Sequence, residues 1–111
     1  MFFKRREINP YTVSDKAVFR NVDQTLTLYV RQDAFTLVTN MKKANEACAR
    51  LTDENSDKEK HDAARLLAAA LFGQKQADEL MEFYHEPITV IAACSIYITT
   101  LAPKIAKAQK K

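Results

Sequence analysis

The chain has no tryptophan, a single glycine (Gly73), three prolines and two cysteines in 111 residues. One glycine cannot build the glycine-rich loops that cradle phosphates, so nucleotide-binding folds of that kind are excluded. Few glycines also means few tight turns, which disfavours a many-stranded sheet and favours helices. Cys48 and Cys94 form no Cys-x-x-Cys pair. Each sits among small apolar residues at helical spacing, the setting of buried, reduced thiols in a cytosolic protein. The N-terminus carries neither the apolar run nor the cleavage site of a signal peptide. The longest apolar stretch, Ile88 to Ala102, spans about 15 residues against the roughly 20 a membrane crossing needs, so it reads as a buried helix.

What is present is an ordinary globular composition, 47% apolar and 28% charged, at a length that predicts one domain. The net charge is +3, from 17 basic and 14 acidic residues. The excess lies at the ends, in Lys4-Arg5-Arg6 and in a basic tail over 103–111 with Lys104, Lys107, Lys110 and Lys111. No regular basic face joins them, so solvated ends are expected rather than a nucleic-acid surface.

The patterning predicts a mainly α (α+β) fold. A small N-terminal β element occupies 1–32, and a bundle of about four helices over 33–102 follows. Thr25 to Val30 alternates and is rich in β-branched and aromatic residues, which predicts a strand. Ala17 to Val22 is its candidate hairpin partner across Asp23-Gln24. Asp33 can cap a helix over 34–51, whose Leu37, Met41, Ala44, Cys48 and Leu51 share one face while Lys43, Glu46 and Arg50 lie opposite. Ser56 and Glu59 have capping-box spacing, opening a helix with Ala63, Leu66, Leu67, Ala70 and Leu71. Gly73 sits where a left-handed cap ends it. A short helix over 75–84 is expected next. Pro87 then opens a helix that is apolar around most of its circumference, with Ile88, Ile91, Ser95, Ile98 and Leu101 as its leading face. Pro103 is expected to break or kink that helix, leaving a cationic turn or frayed end.

One spacing suggests metal chemistry. Glu82 and His85 stand three apart, as in half of a di-iron carboxylate site. Such a site needs a second Glu-x-x-His, and His61 has Lys58 three residues before it. His85 also abuts Glu86-Pro87, where the helix must end. No metal site, cofactor or catalytic residue is therefore expected. Glu82 and Glu86 should be wet, with Glu86 favourably placed at the next helix N-terminus. No serine lies in a nucleophile elbow, and nothing marks either thiol as activated. A DNA-reading helix needs exposed cationic or amide side chains. The 88–101 helix has none, and Glu46 interrupts Lys42, Lys43, Asn45 and Arg50. Helix-in-groove binding remains. Its candidate contact residues are Phe72, Met81, Phe83, Tyr84, Ile88, Ile91 and Tyr97.

Residues 71–111 carry Leu71-Phe72-Gly73, Leu80 with Phe83-Tyr84, Pro87 before Val90-Ile91, Cys94, Tyr97, Lys104-Ile105 and the closing Lys107-Ala108-Gln109-Lys110-Lys111. With "RNVDQTLTLYV" ahead of a helix, this resembles small tail assembly chaperones and tail components of long-tailed bacteriophages and prophages of Gram-positive hosts. Pro103 departs from the pattern, where a continuous helix belongs. The resemblance implies a non-enzymatic protein in the host cytoplasm, absent from the mature virion. Its implied partner is the long helical tape measure protein, with the tail tube protein and further copies of itself as additional contacts. No membrane and no nucleic acid is implied. A small virion tail completion or connector protein and a small DNA-binding regulator are the alternative readings.

Overall fold

A computed structural model describes residues 9–110; Lys4-Arg5-Arg6 and Lys111 of the expected basic ends lie outside them. The order is β1 (Thr12–Asn21), β2 (Gln24–Asp33), α1 (Ala34–Ala49), α2 (Asp57–Phe72), α3 (Gln74–Tyr84) and α4 (Pro87–Gln109). The fold is mainly α, an antiparallel hairpin followed by four helices.

Both strands run 10 residues, longer than their alternating stretches suggest, and pair from Thr12↔Asp33 to Asn21↔Gln24. The turn is therefore Val22-Asp23, one residue earlier than Asp23-Gln24. Val22 takes φ 56°. A two-residue hairpin needs positive φ to match the strands' twist, and here a β-branched residue supplies it in place of glycine. Val13, Ala17, Phe19, Leu28 and Val30 turn inward, while Val18, Arg20, Thr27 and Tyr29 face out.

The hairpin passes straight into α1. Asp33 ends β2 and caps the helix, its Oδ2 accepting from the Phe35 and Thr36 N–H groups at 3.0 Å each. Helix α1 stops at Ala49, so Leu51 lies half-buried in the loop beyond. The capping box of α2 is reciprocal: the Glu59 N–H donates to Ser56 Oγ at 3.1 Å and the Ser56 N–H to Glu59 Oε1 at 3.0 Å. Gly73 takes φ 84° and joins α2 directly to α3.

Helix α2 is the hub, packing on α1, α3, α4 and β2. Its buried Ala63, Ala64, Ala68 and Ala70 let neighbouring helices approach closely, and Leu67 and Leu71 fill the space between. Its C-terminal carbonyls at Ala70 and Leu71 accept from Gln32 Nε2 at 2.7 and 2.9 Å. That satisfies two groups the helix leaves without partners and ties β2 to its end. Leu66, counted with the apolar face in the sequence, is 47% exposed.

Helix α4 corrects two expectations. It continues through Pro103 to Gln109. Proline removes the N–H that would bond Thr99, but both residues face solvent, so water can serve the freed carbonyl. On either side of the proline, buried Leu101, Ile105 and Ala108 hold the last turns in place. The helix is also rotated from the expected facing. Its buried stripe is Val90, Cys94, Tyr97, Leu101, Ile105 and Ala108, while Ile88 is 53% and Ile96 71% exposed.

Candidate partner-binding surface

The rotation of α4 creates the protein's most distinctive surface. Opposite the buried stripe, Ile88, Ala92, Ser95, Thr99, Ala102 and Ala106 are all exposed. Their spacing is four, three, four, three, four. That is the spacing of a helix-packing seam, in which alternate steps bring side chains back to one line. None of the six is charged. Five are small, which lets a second backbone approach closely. Ile91 and Ile98 flank this line on one side, half-buried against the core, and Ile96 flanks it on the other. A solvent-facing helix of a globular protein ordinarily carries charge there. On α4 the first exposed charges are Lys104 and Lys107, in its final turns.

The length and composition of α4 also bear on the membrane question. At 23 residues with a mean hydropathy of 1.6 in its most apolar window, of which 22% is buried, it is long and apolar enough to cross a bilayer. The expectation that its apolar segment is too short came from ending the helix at Pro103.

The predicted contact residues divide into three groups. Phe72, Met81 and Tyr97 are core, 6%, 7% and 9% exposed. Phe72 stacks on Tyr97 with centroids 5.6 Å apart, and Phe19 meets both edge-on at 5.7 and 6.2 Å. These three belong to the core. Phe83 and Tyr84 are half-buried at the end of α3, in an edge-on pair 4.9 Å apart. Tyr84 Oη donates to the Arg20 carbonyl at 2.8 Å. Ile91 is half-buried, and Ile88 is the most exposed of the seven at 53%.

The basic tail is helical as far as Gln109. Lys104 Nζ donates to Asp15 Oδ1 and Tyr97 Oη to Asp15 Oδ2, so a carboxylate on β1 pins both the middle and the end of α4. Burial raises the Asp15 pKa, but the bonds from Lys104 and Tyr97 and the Lys104 charge outweigh it and hold the carboxyl below its usual range. The same pairing raises Tyr97, after burial itself as the larger cause. Lys107 and Lys110 are exposed.

Glu82 and His85 do not share a helix face. His85 lies beyond α3 with φ 64°, its N–H donating to the Met81 carbonyl at 2.9 Å as a left-handed cap. Among the described residues no three of histidine, cysteine, aspartate and glutamate are placed to hold a metal ion. Cys94 is fully buried, and burial, with Cys48 as a lesser cause, pushes its thiol up to about 12. Burial raises Cys48 too.

Sequence reasoning missed Ala92, Thr99, Ala102, Ala106 and Ile96. Small residues at heptad-like steps were the available signal, but a helix with apolar residues all round offers two competing inward faces. Val90, Cys94, Tyr97 and Leu101 are buried in the core that α4 shares with α2. No protein-family model, curated protein or solved structure matches this chain.

Proposed function

We propose that this protein is a non-enzymatic tail assembly chaperone of a long-tailed bacteriophage, holding helical stretches of the tape measure protein in the host cytoplasm until tail tube subunits replace it. The observation that carries this reading is the uncharged seam on α4, from Ile88 to Ala106. It supplies the face against which an amphipathic helix can lie. Its small side chains give close contact over modest area, so each copy binds weakly. Many copies along one long ligand bind well, and each is displaced singly. The resemblance of residues 71–111 to that family supplies the identity of the ligand.

The test is co-purification with a helical segment of a bacteriophage tape measure protein. A complex should form, and Ala92→Glu with Thr99→Glu should abolish it while leaving the circular dichroism and melting temperature unchanged, since both positions are exposed. Binding should change little with salt, unlike nucleic-acid binding, which falls steeply. Failure of the complex to form, or equal binding by the double variant, would overturn the reading.

A further inference from the structure

Beyond the seam, the hairpin has two lateral edges, and a side chain meets each of them at one residue. In a hairpin closed by a two-residue turn the flanking pair, here Asn21↔Gln24, is hydrogen-bonded, and pairs alternate from there. Lys16↔Tyr29 and Val18↔Thr27 are then non-bonded pairs, whose backbone groups point away from the hairpin. Two contacts confirm the phase. The Tyr29 N–H and carbonyl are both taken by Gln76, at 2.9 and 2.8 Å. The Arg20 carbonyl, on the other edge, accepts Tyr84 Oη. Between Arg20 and Asp15 on β1, no described residue bonds the outward N–H and carbonyl of Val18.

That open stretch runs beside an apolar groove of about 350 Å³ whose walls include Val18, Ala93, Ile96 and Thr100. Tyr84 also lines it. A strand edge beside an apolar helical wall is the arrangement that accepts an extended peptide as an added strand. None of the groove residues belongs to the α4 seam.

The charge on the edge selects the occupant. Lys16 and Arg20 flank Val18 on the outer face and are exposed. A second copy pairing antiparallel about Val18 would set Lys16 opposite Arg20, like charge against like. A strand with acidic residues on that face would meet both cations, while its alternate apolar residues would lie on Ala93, Ile96 and Thr100.

We propose that the β1 edge between Asp15 and Arg20 captures an extended acidic–apolar segment of another protein as a third strand. The probe is a fluorescent peptide of alternating valine and glutamate as long as β1, 10 residues. It should bind saturably, with the amide resonances of Lys16, Val18 and Ile96 shifting in NMR spectra. Val18→Pro removes one outward N–H without touching the β1–β2 bonds, and should abolish binding with the melting curve retained. Ile96→Asp should abolish it through the groove wall. Ala92→Glu with Thr99→Glu should leave it intact, which separates this site from the seam. Absence of saturable binding overturns the proposal. So does equal binding of a valine–lysine peptide, or of a valine–glutamate peptide N-methylated at alternate amides. A Val18 amide already protected from exchange in the free monomer would place a segment of this chain on the edge. Protection only in a sedimenting dimer would place a second copy there. Either outcome also overturns it.

Discussion

The side-chain amide of Gln76 stands where a third strand would pair with Tyr29, its Oε1 accepting from the Tyr29 N–H at 2.9 Å and its Nε2 donating to the Tyr29 carbonyl at 2.8 Å. Nε2 also reaches the Phe72 carbonyl at 2.8 Å, so one amide caps the β2 edge at Tyr29 and anchors the end of α2. Exposed strand edges invite association, and plugging one is a way to prevent it. Gln76→Leu should cost about 1–2 kcal/mol, the net worth of lost hydrogen bonds at a site water can partly reach. Urea unfolding measures the loss. Exchange of the Tyr29 amide should also quicken, and an unchanged exchange rate would contradict the plug.

Val22 holds φ 56° at the hairpin tip while 97% exposed. A β-branched residue with positive φ is strained by roughly 1–3 kcal/mol. Nothing is buried there to be lost. Val22→Gly should therefore raise the stability, by about 1 kcal/mol once the greater freedom of glycine in the unfolded chain is discounted. A higher urea midpoint at unchanged slope is the expected readout.

Asp15 is one of the carboxylates that contribute to the acid limit. Its carboxyl titrates below the usual range in the folded protein, so the stability it contributes is present above about pH 4 and is lost as pH falls through its folded value. Asp15→Asn should cost about 1–2 kcal/mol near neutrality, since Lys104 is 56% exposed and solvent screens its share. The gap between variant and parent should close on acidification below about pH 4. On the alkaline side, Tyr97 is raised, so the protein should weaken as pH climbs above about 10, where the unfolded phenol ionises. Denaturant midpoints across pH test both arms.

Cys94 is fully buried with its thiol pushed up to about 12, so it should be inert to alkylation in the folded state. Cys48 is half-buried, its Sγ–H donating to the Ala63 carbonyl at 3.7 Å, and should react first but slowly. Mass spectrometry against urea should show Cys94 labelling only with global unfolding. Prompt labelling in native buffer would show that α4 separates from the bundle.

The hairpin, the capping box and the helix starts were legible because each depends on neighbours in sequence. Asp33 needs only the next turn's N–H groups, Ser56 needs Glu59, and Pro87 needs only its own ring. The hairpin turn was misplaced by one residue because Val22-Asp23 lacks the usual glycine or asparagine. Its position follows instead from which strand faces pack on the helices: a shift of one residue would turn Phe19 and Leu28 to solvent.

Composition and periodicity by themselves determined that this chain is a mainly α protein with a short β element and one nearly uncharged helix. They could not decide which side of that helix is hidden, since hydrophobicity is non-directional and α4 has apolar residues all round. Tertiary packing decided it. Val90, Cys94, Tyr97 and Leu101 are buried in the core that α4 shares with α2, and Asp15 on β1 reaches both Tyr97 and Lys104. These long-range fits turned Ile88, Ala92, Ser95, Thr99, Ala102 and Ala106 to solvent, carried the helix through Pro103 and placed Ile96 beside the open edge of β1.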